Sequence, residues 1–125
     1  MAAYIHDNIL DAALTQISTL TENLYICSAQ PTTYAEAQTT YKLGTKATPA
    51  FGDLANGDVS GRKLPVTAIT DGVVDASGTA TWLALCDNSA SLLLADQALN
   101  ASKAIVTGSP FTLSTFDIEF PDPTA

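Results

Sequence analysis

The 125-residue sequence is short of charge, and of positive charge above all. Charged residues make up 14% of it, against about 25% in an average soluble domain. Five lysines and arginines face 13 aspartates and glutamates, for a formal net charge of −8. A protein that tracks phosphates displaces counterions with clustered bases. Here Arg62-Lys63 is the only adjacent basic pair. Binding to nucleic acid or docking on an anionic membrane is therefore not expected. No apolar run approaches the ~20 residues of a membrane span. The opening Met1–Asp7 lacks a basic stretch followed by an apolar one, so a Sec-type export signal is not expected and folding in a cytoplasm is.

Reactive side chains are equally scarce. His6 is the only histidine, and a Ser–His or Cys–His nucleophile system would have to use it. It precedes a helix pattern and no serine is flanked by glycines, so it reads as an exposed helix-start residue and no catalytic residue is expected. Asp117 and Glu119 lie two apart on one strand face, which reads as solubilising charge rather than a glycosidase pair. The two cysteines, Cys27 and Cys86, each sit in an apolar run. They admit a disulfide or half a metal site, but the preferred reading is two reduced, buried thiols in a cytoplasm. A structural zinc site takes four soft ligands, which two cysteines and one distant histidine do not supply. Asp53–Asp58 looks like a calcium loop but lacks the inner oxygen ligands and the closing glutamate. With no dinucleotide or Walker loop either, the expectation is no metal, no cofactor and no enzyme. Asn100-Ala101-Ser102 matches a glycosylation triplet and reads as a turn.

What is present is a core-forming pattern, with 46% apolar residues. Ile5–Leu20 reads as a helix: Ile9, Leu10, Ala13, Leu14, Ile17 and Leu20 recur at three- and four-residue spacing. Asp7 is placed to cap it or to lie in its first turn. Leu24–Ser28 reads as a strand. Thr33-Tyr34-Ala35-Glu36 is a capping box opening a short helix to about Tyr41, with Gly44 to end it. Lys46–Gly61 is irregular, anchored by Phe51 and Leu54. From Arg62 the pattern is β. Lys63–Thr70 alternates with Leu64, Val66 and Ala68 on one face, and Pro65 marks an edge or bulge. Asp71-Gly72 reads as a hairpin turn, Val73–Asp75 as a short strand and Ser77-Gly78 as a second turn. Thr79–Asp87 is apolar on both faces and reads as central. Ser91–Gln97 and Ala104–Val106 read as separate strands. Phe111–Phe120 reads as one strand with Phe116, Ile118 and Phe120 inward.

Helices first and short strands after indicate an α+β, mainly β protein. The expected fold is a small antiparallel β-sandwich or barrel with an N-terminal helix and one short second helix. Residues 1–21 form the amphipathic helix and 22–125 the β-rich part of a single domain. The expected core is Ile26, Cys27, Val66, Trp82, Ala84, Cys86, Phe116, Ile118 and Phe120. Trp82 is read as core in preference to a sugar platform.

Three blocks carry a resemblance. Leu24-Tyr-Ile-Cys-Ser-Ala-Gln-Pro-Thr-Thr-Tyr-Ala-Glu-Ala37 resembles the "L-x-I-C-S-x-x-P-T-T-Y-x-E-A" opening of small structural proteins of tailed bacteriophages and prophages. The stretch Val73–Asp87 is similar to their "G-T-A-T-x-x-A-L-x-D" segment, and Phe111–Ile118 to their closing "F-T-L-x-x-F-x-I" strand. The likeness spans about residues 22–123 and names no catalytic chemistry. It implies a non-enzymatic virion protein made in the host cytoplasm: first a capsid decoration (cement) protein, second a neck, tail or fibre component. A carbohydrate-binding module is the reading from another class. The implied partners are other copies of the chain, a trimer among the options, and the major capsid or other virion proteins. Residues 1–20 fall outside the likeness, so Ile9, Leu14 and Ile17 are the expected contacts to another chain.

Overall fold

The computed structural model describes residues 5–121. Helix α1, Asp7–Leu20, buries Leu10, Leu14 and Ile17 along one stripe. His6 caps it, its Nδ1 accepting from the Asn8 N–H at 3.1 Å, and Asp7 occupies the first turn. The last turn closes when the Thr21 hydroxyl and N–H both donate to the Ile17 carbonyl. Nine strands follow among the described residues: β1 Asn23–Cys27, β2 Lys42–Ala47, β3 Ala55–Asn56, β4 Arg62–Val66, β5 Ile69–Val74, β6 Gly78–Asp87, β7 Leu92–Ile105, β8 Phe111–Leu113 and β9 Phe116–Phe120. Six form one curled antiparallel sheet, a half-barrel in the order β7-β6-β1-β2-β5-β8, and three form a second sheet, β3-β4-β9. The mainly β architecture with two helical elements is as the sequence predicts.

The main core lies between one face of the large sheet, α1 and the small sheet. Leu24 and Ile26 of β1, Leu83 and Leu85 of β6, Leu64 and Val66 of β4 and Ile118 of β9 meet there. Phe116 and Phe120 pack on it partly buried. The other face of the large sheet carries a smaller cluster, Tyr25, Cys27, Ala84 and Cys86. Residues 28–41 cross over it and bring Ala37, Tyr34 and Tyr41 down onto it, with Trp82 half-buried at its margin. Alternation along β1 and β6 thus feeds two separate clusters, and β6 is interior, as its two apolar faces require.

The crossover keeps the predicted capping box: Thr33 Oγ1 accepts from the Glu36 N–H at 3.1 Å. Glu36 reaches back one residue further, to the Thr32 N–H and hydroxyl. The turn it opens widens into a π-helix over Glu36–Thr40.

Several sequence expectations need correction. Gly44 does not end a helix; it lies within β2, opposite Ile26. Asp71-Gly72 is not a hairpin but part of β5. Both glycines make room for Phe111. A Cβ on Gly72 would sit 2.3 Å from its ring, and one on Gly44 would lie 3.0 Å from it and 2.8 Å from the Val73 carbonyl oxygen. The alternation from Lys63 stops at Val66, and Ala68 is exposed between β4 and β5. Pro65 lies beyond the reach of the short β3, which pairs only with Arg62 and Lys63. The stretches expected at Ser91–Gln97 and Ala104–Val106 belong, apart from Ser91 and Val106, to the single strand β7, so Asn100-Ala101-Ser102 is strand rather than turn. Phe111–Phe120 splits at Ser114-Thr115 into β8 and β9, which serve different sheets.

Candidate interaction surface

The stripe of α1 faces inward. Leu14 and Ile17 are buried in the main core, so they are not available to another chain, contrary to the sequence expectation. A stripe of three buried residues is satisfied by the chain's own sheets, since α1 packs on β4, β9 and β6. Of the expected contact residues only Ile9 is presented to solvent, at 63% exposure.

The scarce bases are used internally. Arg62 on β4 donates through Nε to Asp11 of α1 at 2.7 Å and through a terminal nitrogen to Asn56 at 2.7 Å. Lys63 lies between Asp58 at 2.9 Å and Asp117 at 3.2 Å. These hydrogen bonds push both cations above their ordinary pKa values, so they stay charged. Lys46 pairs with Asp71 at 3.0 Å, and Lys42 lies 3.8 Å from Asp75. Lys103 of β7 is held by neutral oxygens, donating to the Thr112 carbonyl at 2.6 Å and its hydroxyl at 3.3 Å. Glu119 accepts from the Asp58 N–H at 2.6 Å. Asp117 and Glu119 are therefore both engaged in holding the turn after β3. The same turn absorbs the calcium-like stretch: Asn56 and Asp58 receive Arg62 and Lys63.

Cys27 and Cys86 are free thiols, both buried in the smaller cluster. Burial pushes Cys27 up to about 12 and Cys86 up to about 11. Cys27 Sγ faces the Ala37 carbonyl oxygen at 3.8 Å. Neither thiol has the electropositive, accessible setting that makes a cysteine reactive. Among the described residues no group of three or more His, Cys, Asp or Glu is placed to hold a metal ion.

Two surface features remain that sequence reasoning did not single out. One is a cavity of about 230 Å³ where the half-barrel curls round, between β7 and the β8–β9 link, lined by Leu83, Leu99, Lys103, Leu113 and Phe116 among others. The other is the outer edge of β7. This strand ends the large sheet and, among the described residues, is paired with β6 alone. Its signal in the sequence is an absence: from Asn88 to Ser102 there is no lysine, arginine or proline.

Neither a family model, nor a curated protein, nor a solved structure matches this chain.

Proposed function

We propose that the chain is a non-enzymatic structural subunit of a bacteriophage particle, a capsid decoration protein that resides in the virion. The resemblance of the three sequence blocks to phage structural proteins carries this reading. The first and second blocks supply β1 and β6, which pair from Asn23 opposite Cys86 to Cys27 opposite Trp82. The likeness thus falls on the strands around which the large sheet is built. A subunit of this kind works through its surface rather than through chemistry. The deployment of reactive groups suits that role: the thiols are buried, and four of the five bases are bound by the chain's own carboxylates.

Quantitative mass spectrometry of purified particles tests the reading, together with the position of the chain's density in an electron-microscopy map of the virion. Hundreds of copies distributed over the head are expected for a decoration protein. A few copies at the neck, tail or fibre would replace it with the other particle role. Absence from particles would overturn both.

A further inference from the structure

A strand at the edge of a sheet exposes a row of unpaired N–H and C=O groups. Proteins blunt such edges with short strands, lysine, proline or bulges. The chain does this at its other edges. β3 has two residues. β8 has three and follows Pro110. β9 carries Asp117 and Glu119 and stops at Pro121. The C-terminal half of β7 is managed too, by the Lys103 tether to Thr112 and by the register break between the partners of Ala80 and Trp82.

The N-terminal half of β7 has neither lysine nor proline, and the one such device on it is a register shift at Leu94. Leu92–Ala98 carries one ionisable group, Asp96, and three leucines in succession, of which Leu92 is 50% exposed. The register shift between Leu85 and Cys86, whose partners are Ala95 and Leu93, bends the strand at Leu94 while pairing with β6 continues on both sides.

We propose that the Leu92–Ala98 edge docks a second copy of this chain, edge to edge and antiparallel, so that two six-stranded sheets run on into one. An antiparallel edge is its own complement about a two-fold axis, so an identical strand satisfies it without any other recognition chemistry. Charge permits this occupant here. The chain carries a formal net charge of −8, and two copies repel least where the acids thin out. A basic partner, by contrast, would find only Asp96 on this segment. A two-fold axis near Ala95 places Asp96 of one strand beside Leu94 of the other, so the two carboxylates do not oppose each other. The pairing deepens the particle-subunit reading by supplying its self-contact, but its test needs only the isolated protein.

Sedimentation velocity of the full chain from about 1 to about 200 µM follows the monomer–dimer balance by mass action. Hydrogen exchange over the same range locates the contact. The expected result is a dimer at high concentration, with added protection confined to the amides of 92–98. Leu92→Asp is expected to weaken the dimer about tenfold or more. Val106→Asp, the same charge change at a 59% exposed site off this edge, is expected to leave it unchanged. A chain that stays monomeric throughout overturns the proposal. So does a trimer, or a dimer whose protection falls on α1 or another surface. If Leu92→Asp fails to fold, exchange in the unsubstituted chain decides alone. Location in the particle is read separately, so this proposal fails without the particle role failing with it.

Discussion

Cys27 and Cys86 show how far a residue's neighbours decide its chemistry. Both have the pKa raised by burial, to about 12 and about 11, so at neutral pH they stay protonated and behave as small apolar groups. An aromatic disulfide reagent at about pH 8 is expected to leave both unmodified in the folded protein and to titrate both after denaturation. Rapid reaction of either thiol in the native state would contradict their placement. The carboxylates behave in the opposite sense. Glu22 accepts from the Ser89 N–H at 2.7 Å, and Glu36 from Thr32. Hydrogen bonds from Ser89 and from Thr32 respectively hold the two carboxyls below the usual 4.5. Each binds its proton less readily in the fold than in the unfolded chain. Their contribution is therefore present above the ordinary glutamate value and is lost as pH falls through the lower folded one. Glu36→Gln is expected to lower the urea midpoint at about pH 7, with the gap to the unsubstituted protein closing towards about pH 3. A gap that widens on acidification would show that Glu36 acts otherwise.

At the scale of the element, α1 is a structural part of the domain. Leu14 is fully buried against the sheets, so Leu14→Ala is expected to cost about 2–5 kcal/mol, read from the denaturant midpoint. Deleting residues 1–20 is expected to abolish cooperative unfolding, because it uncovers a face of the main core. A truncated chain that unfolds with an unchanged midpoint would return α1 to the role of an external contact. The periodicity of α1 was legible in the sequence; what its stripe faces was not, since an apolar stripe looks the same against its own sheet and against a neighbour. β6 was legible because both faces are apolar. β2 was not: Lys42-Leu-Gly-Thr-Lys-Ala47 has one large apolar residue and a glycine, and it is a strand because β1 and β5 pair with it on either side. β7 was split in reading because Ala98–Ser102 holds one large side chain, and its continuity comes from β6. The open edge of β7 was hidden for a related reason, because strand order is a tertiary property that no local pattern encodes.

For the whole molecule, the resemblance and the physical reading divide the work. The residues alone specify a mainly β domain and speak against phosphate-tracking chemistry, while the particle role rests on the three blocks. Together they pointed to α1 as the contact surface, and the burial of Leu14 and Ile17 moves the search to the sheet. The strand order carries a further consequence, for synthesis. β1 stands between β2 and β6, and β6 is made only after the crossover, β2 to β5 and the loops between them. Until then the nascent chain holds Leu24 and Ile26 on one side of β1, and Tyr25 and Cys27 on the other, without the strand that completes both clusters. Loop closure has to come before those contacts reward it, which places folding in the millisecond-to-second class of non-local β topologies. On the particle role proposed above, a subunit needed in many copies would pass through a sticky stage at each round of translation, with the net charge of −8 the main brake on association between unfinished chains.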